Sequence, residues 1–192
     1  MSEKMKPLDF LADQYVICIC EGTAEEVIME TLLDNNCLIF NRRNLVDRVV
    51  TRIRTADKIQ SRFLNREFNK PVSIIRILDS RSERFRLGKL YQQRFSVYPI
   101  YTRPEIEMLM VLAENQYQDF RKSKKKPSDF MAGFLPHSHI KARSFLEIYY
   151  SDVDKLLHAI RLYSLDAGHK GEYSLYHLLK DEYRNNGKPA DL

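Results

Sequence analysis

The sequence predicts an α/β protein: a central, mostly parallel sheet of about four strands flanked by helices, with a helical C-terminal appendage. Three observations predict it. YVICIC, residues 15–20, is a short β-rich apolar run without polar alternation, as in a strand covered on both faces. Segments with apolar residues at helical spacing alternate with such runs. From residue 140 onward only helical spacing remains.

Taken in order, YVICIC is expected to be a central strand. Val27, Ile28, Leu32 and Leu33 then fall on one helical face, and Asp34-Asn35-Asn36 should end that helix. CLIF, residues 37–40, reads as a second strand. Leu45, Val49, Val50 and Ile53 again keep helical spacing, so a crossover helix is expected from residue 44. VSIIRILDS, residues 72–80, reads as a third strand with a polar end. SVYPIYT, residues 96–102, reads as a fourth, placed at or near a sheet edge by Pro99. A long amphipathic helix is expected over residues 105–121, then a basic exposed break at 122–127, then helices over 145–150, 153–163 and 175–183.

The 192 residues suit one core, read as an α/β domain over 1–135 and a helical extension over 136–192 packed on it. Eleven Tyr and ten Phe are available to fill that core. The net charge of +5 permits an anionic partner without requiring one. Cys18, Cys20 and Cys37 have no metal-ligand spacing and read as buried thiols. The first residues lack the apolar core of a secretory signal, and no run approaches the roughly 18 apolar residues of a membrane span. A cytoplasmic protein with no membrane partner is expected.

Function is sought at the carboxyl ends of the strands, where loops converge in open α/β sheets. Glu21 follows the first strand, Asp79 follows the third, and Glu105 follows the fourth. Converging carboxylates repel one another, and a hard divalent cation such as Mg²⁺ suits them as a partner. Gly22 would let the chain turn tightly there, and Glu25 would lie one helical turn on. The bland account rests on the same residues. Thr23 with Glu26, and Thr102 with Glu105, have capping-box spacing and serve equally well as helix starts.

EGTAE after the first strand, Asp79 at the end of a later one and TRPEIE after the next resemble the Toprim fold, most closely the nuclease-type domains of the OLD family and of RloB-like bacterial defence proteins. The resemblance spans residues 15–114. It implies a Toprim-like fold that binds Mg²⁺ or Mn²⁺ and cleaves phosphodiesters of DNA or RNA, in phage defence or mobile-element biology. Glu21, Glu25 and Asp79 would be metal ligands, and Glu105 would complete the site. Where the family has Asp-x-Asp, this chain has Asp79-Ser80-Arg81. Glu83 would supply the missing acid if the loop folds back. The departure keeps a second reading open, a catalytically degenerate Toprim-like module that binds nucleic acid or a partner protein.

Among the cations, Lys126 and Lys141 are the candidates to stabilise charge on a phosphate, and the run around Lys122 and Lys124–Lys126 would steer nucleic acid. His137 and His139 read as an exposed turn. There is no Gly-x-x-x-x-Gly-Lys motif, so an OLD-like system would need an ATPase on a separate chain.

Overall fold

A computed structural model of the chain describes residues 5–136, 138–165 and 171–185; His137 lies outside them, as does part of the expected 136–192 extension. Four parallel strands form the sheet: β1 (Tyr15–Cys20), β2 (Leu45–Thr51), β3 (Val72–Leu78) and β4 (Phe95–Tyr101), in spatial order β2-β1-β3-β4. The chain steps from β1 to one side, then returns past β1 to place β3 and β4 on the other. The reversal falls between β1 and β3, and that is where a parallel sheet opens a crevice at its carboxyl end.

Side-chain alternation along the strands makes two apolar layers. Val16, Cys18 and Cys20 of β1 face one way, with Ile75 and Ile77 of β3 and Ile100 of β4. Against them pack α1 (Thr23–Asp34), α4 (Met108–Ala113), α6 (Pro127–Phe134), α7 (Arg143–Tyr149) and α8 (Val153–Leu165). Ile17 and Ile19 face the other way, with Val72 and Ile74. They are covered by α2 (Ala56–Ile59), its π-helical continuation over Gln60–Leu64, and Leu87 beside the short α3 (Lys89–Gln92). Leu146, Leu157 and Ile160, beyond residue 135, share one buried cluster with α1 and the sheet. All three cysteines are free and buried. No helix among the described residues is long and apolar enough to cross a membrane.

Four expected elements differ. The helix expected from residue 44 is strand β2. Between the pairs Val16↔Leu45 and Cys18↔Val50 this edge strand bulges outward, with Asp47 and Arg48 at φ 57° and 59°. The bulge creates the four-residue apolar spacing that imitates a helix, whereas the β-branched Val46, Val49 and Val50 carry the strand preference. CLIF does not join the sheet: Leu38 bridges Leu179, and the Cys37 carbonyl accepts the Lys180 N–H at 2.9 Å. The segment ties the C-terminal part of the chain to the α1 layer. The helix expected over 105–121 is two, α4 and α5 (Tyr117–Ser123), separated where Asn115 takes a left-handed conformation at φ 56°. The helix expected over 175–183 is instead a 3₁₀ turn over Leu175–Leu178 and α9 (Asp181–Asn185), parted where Leu179 takes extended backbone and bridges Leu38.

β4, the break after α5, α7 and α8 follow expectation. β4 is an edge strand, as Pro99 requires, and Lys124, left-handed at φ 58°, lies in the break before α6, which starts on Pro127.

Candidate functional site

β1 and β3 pair in register through Cys20↔Ile77, so the residues leaving both strands emerge side by side. Glu21 Oε2 accepts the Asp79 backbone N–H at 2.9 Å. The loop after β3 folds back and brings the Glu83 carboxyl close enough to Glu21 for the two to perturb each other. Burial of Glu21, reinforced by Glu83 and Asp79, pushes its carboxyl up to about 7 against the opposing effect of the Asp79 N–H. Glu83 goes the other way. Burial alone would raise it, but the Glu21 carboxyl, the hydrogen bond from Arg54 and the charges of Arg54 and Arg76 bring it below the usual carboxylate range. Both arginines form ion pairs with Glu83, and Arg76 sits almost fully buried inside β3. Glu83 therefore occupies the place expected for a second acid with its charge already balanced.

A second group of carboxyls lines a cleft of about 270 Å³ beside the first. Its walls include Gly22, Glu25, Asp79, Glu105, Glu107 and Lys141. Glu25, 6% exposed, accepts the Gly22 N–H at 3.0 Å. The cap of α1 is thus Gly22 with Glu25, one residue earlier than the expected Thr23 with Glu26. Gly22 has extended backbone, φ −135°, so a tight turn does not explain it; a Cβ there would lie 2.9 Å from Glu25 Oε2. Its role is close approach.

Glu105 Oε2 accepts the Ser128 N–H of α6 at 2.9 Å. No helix starts at Thr102, whose hydroxyl donates to the Leu78 carbonyl at 3.1 Å, so the second expected capping box is absent. Burial raises the carboxyls of Glu25 and Glu107, with Glu107 and Asp79 adding repulsion at Glu25, and Glu105 and Asp79 adding it at Glu107. Lys141 Nζ lies 3.9 Å from Glu107 Oε1 and moderates the rise there.

The structure thus brings Glu25, Asp79, Glu105 and Lys141 to one cleft, and Glu21 and Glu83 to the adjoining group. Lys126 is exposed at the N-cap of α6 and is not part of the cleft wall. Glu26 and Glu30 serve structure, pairing with Arg143 of α7 and with Arg42. Arg81 turns away from both groups and pairs with Glu172, which Arg103 also holds at 2.7 Å.

Sequence reasoning missed Glu107, Arg76 and Tyr150. Glu107 stands two residues after Glu105 in the same quoted motif, and an Arg inside an otherwise apolar strand was a visible signal for Arg76. Tyr150 carried no such signal. It is 2% exposed, its hydroxyl has no hydrogen-bond partner among the described residues, and burial above all, with Tyr149, Glu107 and Glu25 adding to it, disfavours its ionisation.

The donors are hard carboxylate oxygens, chemically suited to Mg²⁺ or Mn²⁺. Among the described residues no three His, Cys, Asp or Glu side chains are already grouped to hold a metal ion. Glu25 and Glu105 each accept one backbone N–H, and Glu83 is paired with two arginines. Compared with protein-family models, curated proteins and solved structures, the chain matches none.

Proposed function

We propose that this chain is a metal-dependent nuclease of the Toprim type, acting on DNA or RNA at the carboxyl end of its parallel sheet. One observation carries the reading: Glu25, Asp79, Glu105 and Glu107 line one cleft next to the β1–β3 reversal, with Lys141 as the cation among its wall residues. Such an acid excess is offset by protons or by a bound cation. Glu25, Asp79 and Glu105 would hold Mg²⁺ or Mn²⁺, which when bound supplies Lewis-acid polarisation of a phosphodiester. Glu21, whose carboxyl titrates at about 7, can hold or release a proton near neutral pH beside the scissile group. Lys141, exposed at the cleft rim, would pair with a phosphate oxygen. A phage-defence setting and an ATPase on a separate chain belong to this proposal through the family resemblance alone.

A second reading has its own observation. Glu83 is neutralised by Arg54 and Arg76, and Arg81 is committed to Glu172, so the Asp-x-Asp position serves structure. On that reading the chain is a degenerate module that binds nucleic acid or a partner protein. Thermal melting with Mn²⁺, together with cleavage of plasmid, single-stranded DNA and tRNA, tests the choice. The nuclease reading expects Mn²⁺ to raise the melting temperature, and Asp79→Asn to abolish both that rise and cleavage. An unchanged melting curve, or cleavage undiminished in Asp79→Asn, overturns it.

A further inference from the structure

A hollow of about 690 Å³ lies at the opposite end of the sheet from the carboxylate cleft. It is walled by the first residues of β1 and β2 and by the loop leading into β3. β1 runs six residues between the two ends, about 20 Å at 3.3 Å per residue, so the sites are separate. The volume falls in the range of about 300–1,000 Å³ usual for small-molecule sites.

Its walls are aromatic and cationic. Tyr15 and Phe68 are in ring contact, with centroids 5.8 Å apart, and the Tyr15 hydroxyl donates to Asn69 at 3.1 Å. Arg66 lies over the Phe68 ring at 5.3 Å and pairs with Asp47 at 2.8 Å. Arg43 and Arg48 also line the hollow, are exposed, and meet no carboxylate at ion-pair distance among the described residues. Glu67 and Asp47 limit the net charge without removing the cationic excess over three arginines.

The backbone beneath these groups is held in an uncommon state. Asp47 and Arg48 are consecutive non-glycine residues in the left-handed region, at φ 57° and 59°. Such residues cost energy and persist where their surroundings over-determine them. Here Asp47 of the bulge pairs with Arg66 at 2.8 Å. The Asn44 side chain fixes the loop before β2, donating to the Ala12 and Gln14 carbonyls at 2.9 and 3.0 Å. The bulge carries Arg48 and the pinned loop carries Arg43, both to the rim of a hollow floored by rings.

We propose that this hollow binds a nucleotide unit, the base stacking on Phe68 and Tyr15 and the phosphate pairing with Arg43 and Arg48. Rings that accept any base face, beside guanidinium groups able to pair with phosphate, are the chemistry of sequence-tolerant recognition. The unit can be a free mononucleotide or one residue of a single strand.

The test is fluorescence anisotropy in EDTA, which keeps binding apart from any cleavage, using a fluorescein-labelled ten-nucleotide oligouridylate with uridine 5′-monophosphate as competitor. The wild-type chain is expected to bind. Arg43→Ala/Arg48→Ala should weaken binding about tenfold or more, and Phe68→Leu, which keeps an apolar side chain but removes the stack, roughly five- to tenfold. Lys58→Ala/Arg62→Ala, the same charge loss on α2 and its π-helical continuation, should bind as wild type. Competition by the monophosphate identifies a free nucleotide as the occupant, and binding of the oligomer without competition identifies a strand. Failure of both probes to bind, binding undiminished in Arg43→Ala/Arg48→Ala, or equal losses in the two double variants overturns the proposal.

Discussion

Glu21→Gln is a test of the charge arrangement that needs no assumption about catalysis. The unfolded chain releases this proton near pH 4.5, whereas the folded chain holds it to about 7. Between those values the folded state carries the extra proton, so raising the pH weakens the fold. The contribution is fully present below 4.5 and gone above about 7. At 1.36 kcal/mol per tenfold change, moving from 4.5 to about 7 sets a ceiling of about 3 kcal/mol. The Glu21 side chain is 11% exposed and borders an open group of charges, which reduces the expected loss to about 1–2 kcal/mol. Glutamine keeps an acceptor for the Asp79 N–H but carries no charge. In urea or thermal unfolding from pH 4.5 to 8 in EDTA, the wild-type chain should lose this increment relative to Glu21→Gln. At pH 8 the variant should melt about 2–8 °C higher. Glu25 and Glu107 titrate in the same direction in both proteins, so the difference isolates Glu21. Parallel pH profiles for the two proteins, or a wild-type chain that gains on the variant as pH rises, would refute the reasoning.

Gly22→Ala places a methyl group 2.9 Å from Glu25 Oε2; loss of the Glu25 cap should cost about 1 kcal/mol in urea unfolding and weaken any Mn²⁺-induced rise in melting temperature. Glu83→Ala leaves buried Arg76 without its carboxylate and should cost about 3 kcal/mol, whereas Arg54→Ala, at a half-exposed pair, should cost under about 1 kcal/mol; equal losses in denaturant titrations would remove the distinction. Tyr150→Phe deletes a buried hydroxyl without a partner among the described residues and should be neutral or stabilising by about 1 kcal/mol in metal-free buffer; a clear loss of stability would show that the hydroxyl is satisfied.

What could be read from the chain was whatever rests on local pattern. The unbroken apolar run of β1 and the largely apolar run of β3 place these strands inside the sheet, and the acids after them reach its carboxyl end because strand and polarity are both local properties. β2 departs from its local pattern because its bulge is a register shift against β1, between Val16↔Leu45 and Cys18↔Val50, and that pairing joins residues about 30 apart in sequence. CLIF was misread for a related reason: its partner, residues 178–180, joins it only after the C-terminal segment has crossed the molecule. At the site, Glu21 and Asp79 were legible as strand ends. That Glu83 would be spoken for by Arg54 and Arg76 was not, since each partner comes from a different element.

The fate of Glu83 separates the two functional readings more sharply than the presence of Arg81 does. Arg81 is bound to Glu172 and bears on the carboxylates only at a distance. Glu83 faces Glu21 directly, and its two arginines decide whether that group of acids can accept another cation. With both arginines in place, the adjoining group is close to balanced, and the excess of acid belongs to the cleft of Glu25, Asp79, Glu105 and Glu107. Any cation site therefore centres on Asp79 and the α1 and β4 sides of the cleft, away from Glu83. On the nuclease reading, Arg54→Ala should leave Mn²⁺-induced stabilisation near the wild-type value, while Glu107→Gln and Asp79→Asn should each diminish it. If Arg54→Ala instead creates a Mn²⁺ response that the wild-type chain lacks, the arginines have replaced the metal, and the degenerate-module reading is the correct one.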